Sequence, residues 1–170
     1  MGVFHFNPQA QYIDANGNAT WVDLKPLRTE GQGMPNYPNR KEYSLTQINV
    51  PYGFGVKYFF NENVNISFEV CNRMTFTDYI DDVSTNYISE QDFYDYFGAG
   101  SATADIARQM ANKAQWANGG TYLPSYGPGD KRGNPNLNDA YYSTVVKLGF
   151  RIGGGERSFL NNTRCPVIRF

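Results

Sequence analysis

Asp78, Asp81 and Asp82 set three carboxylates beside Tyr79 in one short stretch, Asp78-Tyr-Ile-Asp-Asp-Val-Ser84. Oxygen at that density suits a hard cation such as Ca²⁺, although the spacing is not that of an EF-hand loop. The other reading is a loop held by Asp side chains that accept hydrogen bonds from nearby backbone N–H groups, and on it no metal ligand is assigned. His5 is the only histidine, so no Ser/His/Asp or Cys/His constellation assembles around it; it is expected at a rim or in a lumen. Thr29-Glu-Gly-Gln-Gly33 bears glycine but lacks the Lys-Ser/Thr that completes a phosphate-binding loop, and it reads as a turn. No catalytic, cofactor-binding or metal-binding residue is therefore expected, and no enzyme.

The remaining charges follow a different logic. Lys57, Glu69, Arg73, Lys147 and Arg151 all fall on the polar side of segments that alternate apolar and polar residues. In 50–60, Val50, Tyr52, Phe54, Val56, Tyr58 and Phe60 share one face and Pro51, Gly53, Gly55 and Lys57 the other, with Phe59 the exception. In 64–77, Val64, Ile66, Phe68, Val70, Met74 and Phe76 oppose a face that includes Glu69, Cys71 and Arg73. In 141–153, Tyr142, Thr144, Val146, Leu148, Phe150 and Ile152 oppose a face that includes Lys147 and Arg151. Each run exceeds the roughly 5 to 6 residues of a usual soluble strand and reaches the roughly 9 to 11 of a tilted membrane strand.

Composition sets outer bounds. With 170 residues and a formal net charge of −1 there is no basic excess for nucleic acid, and no apolar run long enough for a membrane helix. A mean hydropathy of −0.55 resembles a soluble protein, yet a membrane barrel is apolar at only every other strand position. Alternation alone fits either a soluble core or a lipid-facing barrel. The segregated charges favour the second orientation, because Lys or Arg at the bilayer midplane costs roughly 2 to 4 kcal/mol. Tyr52, Phe76 and Tyr142 near one rim, and Tyr58, Phe60 and Phe150 near the other, resemble interfacial girdles.

The connections are unequal. A turn at 61–63 joins the first two strands, whereas 78–140 separates the second from the third, the usual contrast between periplasmic turns and extracellular loops. Residues 3–7 are expected to end an upward strand, followed by a long loop over 8–44. Within the second loop, 89–97 and 103–116 read as short helices, Ser89 being the N-cap with Asp92 three residues on. Four spans cannot close a barrel, and residues 1–6 have neither the basic start nor the apolar stretch of a secretory signal. Either the N-terminal strands are missing or four, to make eight in all, are supplied by another chain. Truncation is the simpler reading and agrees with the absent signal, so an exported start and further strands are expected upstream. Lys57, Arg73, Lys147 and Arg151 against Glu69 leave this part of the lumen basic, so the rest should supply carboxylates; an unmatched basic lumen would suit an anion pore instead. Cys71 and Cys165 fall at different depths, and no mutual disulfide is expected.

Several blocks carry a resemblance: Phe6-Asn-Pro-Gln-Ala-Gln-Tyr12, Trp21-Val-Asp-Leu-Lys-Pro-Leu27, Thr29-Glu-Gly-Gln-Gly33, Tyr43-Ser-Leu-Thr-Gln47, Pro51-Tyr-Gly-Phe-Gly-Val-Lys-Tyr58, Thr75-Phe-Thr-Asp-Tyr-Ile-Asp-Asp-Val-Ser84 and Arg132-Gly-Asn-Pro135. Taken in order, they resemble the Bacteroidetes outer-membrane β-barrel family that contains the PorG component of the type IX secretion system. The resemblance implies a signal-bearing barrel in the cell outer membrane. For PorG-like members it implies association with a periplasmic ring of PorK- and PorN-like proteins, with outer-membrane lipid as the other partner and no nucleic acid.

The expectation is an all-β, antiparallel transmembrane barrel, present here as its C-terminal part. Residues 1–153 would form the partial barrel, with extracellular loops at about 8–44 and 78–140, and 154–170 a periplasmic tail. On the PorG-like reading Arg157, Arg164 and Arg169 of that tail are candidate partner contacts. The function expected is that of a structural and interaction component of a secretion apparatus. The rival readings are a small outer-membrane pore and a soluble ligand-binding β-barrel.

Overall fold

The computed structural model describes residues 1–117 and 126–152. In chain order these form strands β1 (Gly2–His5), β2 (Gln9–Ile13) and β3 (Ala19–Asp23), a 3₁₀ turn at Lys25–Leu27, strands β4 (Thr46–Asn61) and β5 (Val64–Thr75), helices α1 (Glu90–Phe97), α2 (Ala102–Ala111) and α3 (Lys113–Ala117), and strand β6 (Ala140–Phe150). The protein is β-rich, with one four-stranded antiparallel sheet in the order β1-β4-β5-β6 and a separate hairpin, β2-β3. Contacts divide the chain into two compact units, one of Met1–Val50 with Met74–Asp139, the other of Pro51–Arg73 with the chain from Ala140.

The second unit is built from the alternating segments. β4 extends further upstream than the alternation suggested, through 16 residues, because β1 pairs with its start: Gly2 lies opposite Asn49, Val3 opposite Ile48 and His5 opposite Thr46. The turn to β5 is fixed by one side chain, Asn61, whose Oδ1 accepts from the backbone N–H of Asn63 and of Val64, both at 2.9 Å. Gly53 is required by the close approach of β4 to β5, since a Cβ there would sit 2.2 Å from the Val70 carbonyl oxygen. The apolar face that period 2 creates is not a core. Tyr52, Phe54, Val56, Tyr58 and Phe60 are all between 54% and 73% exposed, and Phe68, Tyr142, Val146, Leu148 and Phe150 are exposed as well.

The buried apolar residues lie instead in the first unit, where long loops were expected. The 8–44 segment contains the β2-β3 hairpin, with Gln9 opposite Asp23 and Tyr12 opposite Thr20. Its tip closes because Asp14 Oδ1 accepts from the N–H groups of Asn16 and Asn18, each at 2.8 Å, with Gly17 at φ +84°. Leu24, Leu27, Met34, Ile88, Phe93, Ala104, Ala107, Met110 and Ala111 form one core, against which Ala10, Tyr12 and Val22 pack. Short strands bounded by Asn, Gly and Pro have too few periods to stand out from a loop, and so the hairpin was not anticipated. α1 begins where Ser89 caps it: the Ser89 hydroxyl accepts from Gln91 N–H, and Asp92 returns a bond to Ser89 N–H at 3.2 Å. The helix expected over 103–116 is two, broken at Asn112 with φ −140°.

Candidate functional site: a buried ionic knot and a charged strand face

Four separate sequence blocks of the first unit converge on Glu30. Its side chain is fully buried, yet every oxygen is used. Oε1 accepts from Ser84 N–H at 3.0 Å and from Arg132 Nη1 at 3.0 Å; Oε2 accepts from Thr85 N–H at 2.9 Å and from the Thr85 hydroxyl at 2.8 Å. The same Arg132 Nη1 donates to the Asp82 carbonyl at 2.7 Å and to Thr29 Oγ1 at 3.1 Å. Arg40 Nη1 in turn donates to the Glu30 carbonyl at 2.6 Å and to that of Asn86 at 3.1 Å. Gly133 is needed beside Arg132, since a Cβ would meet Ser84 backbone atoms at 2.6 Å.

Asp82 is the second buried carboxylate of the knot. Its backbone is left-handed, φ +64°, a conformation Asp tolerates better than most residues. This turns its carboxylate inward, where Oδ2 accepts from the Thr29 hydroxyl and Oδ1 from the Tyr43 hydroxyl at 2.7 Å. Burial pushes its pKa up to about 6, against the hydrogen bonds from Thr29 and Tyr43 and the Arg132 charge that favour the anion. Burial also raises Tyr43 far above the usual phenol range, with the Asp82 charge adding to the effect. From Tyr43 a run of stacked rings leads to β1: Tyr79 at 4.7 Å between centroids, Phe6 at 6.1 Å, and then Phe4 at 5.7 Å from Phe6.

The carboxylate motif thus divides by role. Asp81 makes the expected local turn, accepting from Val83 N–H at 3.1 Å. Asp82 does not; it reaches across to Thr29 and Tyr43. Asp78 is half-buried with Oδ2 lacking a hydrogen-bond partner, and burial raises its pKa, helped by Asp139, Asp81 and Glu30. Tyr79 is the stacking partner of Tyr43, its hydroxyl pKa raised by burial. Thr29–Gly33 is a turn, as its composition suggests, but a buried one. Thr29, Glu30, Arg40, Tyr43 and Arg132 were not singled out as site residues from the sequence.

The strand charges lie in the second unit. Lys147 Nζ pairs with Glu69 at 2.7 and 2.8 Å. Arg73 Nη1 donates to Ser143 Oγ at 2.8 Å and lies 5.5 Å from the Tyr141 ring centre. Lys57 Nζ is 5.0 Å from the ring centre of Phe59, the one aromatic on the polar face of that strand. Among the described residues neither Lys57 nor Arg151 forms an ion pair. A cavity of about 680 Å³ lies against this face, lined in part by Gly53, Gly55, Lys57, Ser67, Glu69 and Lys147. Cys71 is a half-buried free thiol. His5 is exposed, on the face of β1 that carries Val3, its ring nitrogen 3.1 Å from Thr46 Oγ1. Cys165 and the tail residues Arg157, Arg164 and Arg169 lie outside the described residues.

No family model, no curated protein and no solved structure matches this chain.

Proposed function

We propose that this chain is part of a bacterial outer-membrane β-barrel, a structural and interaction component that works as a PorG-like subunit of the type IX secretion apparatus and associates with its periplasmic ring. The observation that carries the reading is the exposed apolar face of β4, Tyr52 to Phe60, continued in Tyr142, Val146, Leu148 and Phe150 of β6. Contiguous apolar surface of this kind marks a site that another phase or partner covers, whereas a soluble ligand-binding barrel would turn it inward. Strand length and the polar turn at the Asn61 end support the same orientation. The ionic knot suits a scaffold: Glu30, Asp82 and Arg132 bond to one another's segments in the interior.

The test is Phe54→Arg in the gene of the source organism. Lipid contact predicts a cost of roughly 2 to 4 kcal/mol at mid-depth, seen as loss of the heat-modifiable folded form from outer-membrane fractions and loss of co-purifying ring proteins. A residue exposed to water would tolerate the change within about 0.5 kcal/mol, and unaltered assembly would refute the membrane reading.

A further inference from the structure

One cavity belongs to neither the knot nor the strand face. It lies in the first unit, measures about 760 Å³ and runs between the end of β2 and the helices α2 and α3, where Tyr12, Met110 and Trp116 supply apolar wall. Cavities of about 300 to 1,000 Å³ suit a small-molecule ligand. The polar part of the wall specifies the chemistry of that ligand.

Charge argues against an ionic guest. Asp14 and Asp105 are balanced by Arg108 and Lys113, so the wall is neutral. All four groups are already committed. Asp14 holds the hairpin tip through the N–H groups of Asn16 and Asn18, and Asp105 Oδ1 accepts from the Tyr94 hydroxyl at 2.7 Å and from Arg108 Nε at 3.2 Å. Arg108 also donates to Glu90 at 3.1 Å and lies 4.4 Å from the Trp116 ring centre, while Lys113 Nζ donates to the Gln11 carbonyl at 3.0 Å. A phosphate or carboxylate would compete with these bonds for its counter-charge.

The unspent groups are neutral and hydrogen-bonding. Among the described residues the side-chain amides of Gln11 and Gln109 hold no hydrogen bond, and both line the cavity. Each amide offers a donor and an acceptor side by side, which neighbouring hydroxyl groups of a sugar complement. An apolar guest would instead bury these amides without partners.

Aromatic placement points the same way. Both tryptophans of the chain stand here: Trp116 lines the cavity, and Trp21 lies opposite Gln11 in the β2-β3 pair. Directly opposed side chains share a face, with Cβ atoms about 5 Å apart. Ala10, Tyr12 and Val22 pack against the core, so period 2 turns Trp21 outward, and it is 68% exposed. An indole left in water beside a polar cavity offers its electron-rich face to the weakly positive C–H groups of a pyranose ring.

We propose that this cavity, with Trp21 at its rim, binds a neutral saccharide. One sugar ring enters the cavity and hydrogen-bonds Gln11 and Gln109, and the neighbouring ring stacks on Trp21. The site stands on the first unit alone and does not depend on the membrane reading.

The intact protein, purified in an amine-oxide detergent that carries no sugar, is titrated calorimetrically with neutral di- and trisaccharides of glucose, galactose, mannose and N-acetylglucosamine. Glucuronic acid and the peptide Leu-Leu-Leu serve as the charged and apolar probes. At least one neutral saccharide is expected to bind with Kd of about 1 mM or tighter. Trp21→Ala and Gln109→Ala, both outside the buried core, should each weaken it by about fivefold or more, whereas Lys57→Met in the second unit should not. No neutral saccharide binding up to about 10 mM overturns the proposal. So does glucuronic acid or the peptide binding more tightly than every neutral sugar, or saccharide binding that either the Trp21 or the Gln109 substitution leaves unchanged.

Discussion

Replacing Arg132 by Ala tests the ionic knot most directly. The Arg132 side chain is 9% exposed and its partner Glu30 is fully buried, 3.0 Å away. Removing the guanidinium leaves Glu30 with hydrogen bonds from Ser84 and Thr85 but without its ion-pair partner, beside the Asp82 carboxyl. Breaking a buried pair from one side costs about 3 to 5 kcal/mol, whereas an exposed pair is worth about 1 kcal/mol or less. The Asp82 carbonyl, which loses its Arg132 donor, adds to the loss. Against a typical domain stability of about 5 to 15 kcal/mol, the first unit would be severely weakened. Both tryptophans, Trp21 and Trp116, lie in that unit, so fluorescence during denaturant titration reports its unfolding directly. Arg132→Lys, which keeps the charge and loses the multidentate head, should fall between Ala and the unaltered protein. A loss under about 1 kcal/mol for Arg132→Ala, the surface-pair value, would mean that the knot does not hold the loops together.

Asp82 should impose a pH dependence of unusual sign. Its folded pKa is about 6, above the 3.8 of an unperturbed Asp, so the folded state binds more protons than the unfolded one between these values and stability falls as pH rises through that window. The fall is on the order of 3 kcal/mol. Asp82→Asn, which keeps a residue tolerant of positive φ, should flatten that slope when stability is measured from pH 4 to 7; an unchanged slope would assign the dependence elsewhere. At the start of α1, Ser89→Ala removes the cap of Gln91 N–H and should cost about 1 kcal/mol, read as a lower denaturation midpoint with the same tryptophan signal. No change there would place the helix start under control of Asp92, which also accepts from Tyr37 Oη at 2.6 Å and raises that phenol to about 12, chiefly with burial.

The strands and the knot were legible to different degrees. β4, β5 and β6 were readable because alternation is local: each residue's face is set by its neighbour two positions away. The capping box at Ser89 and Asp92 was readable for the same reason, as both residues belong to one turn of helix. The knot was not. Thr29 and Arg132 meet across 103 positions of sequence, and Asp82 looks like its neighbour Asp81 until the backbone turns left-handed. Thr29 with Glu30, Tyr43, Asp82 and Arg132 lie far apart in sequence, and nothing local reveals that they touch.

The sequence by itself determined where most of β4, β5 and β6 runs, which side of each is apolar and that the cations share the opposite side, since a pleated chain alternates by geometry alone. Only the tertiary structure decided that the apolar face stays uncovered while the loops hold the buried core. It also decided that Glu30, Asp82 and Arg132 form one buried unit. The physical reason is that burial and ion pairing depend on what the rest of the chain brings alongside, and two carboxylates around one guanidinium are stable only where distant segments close off water together.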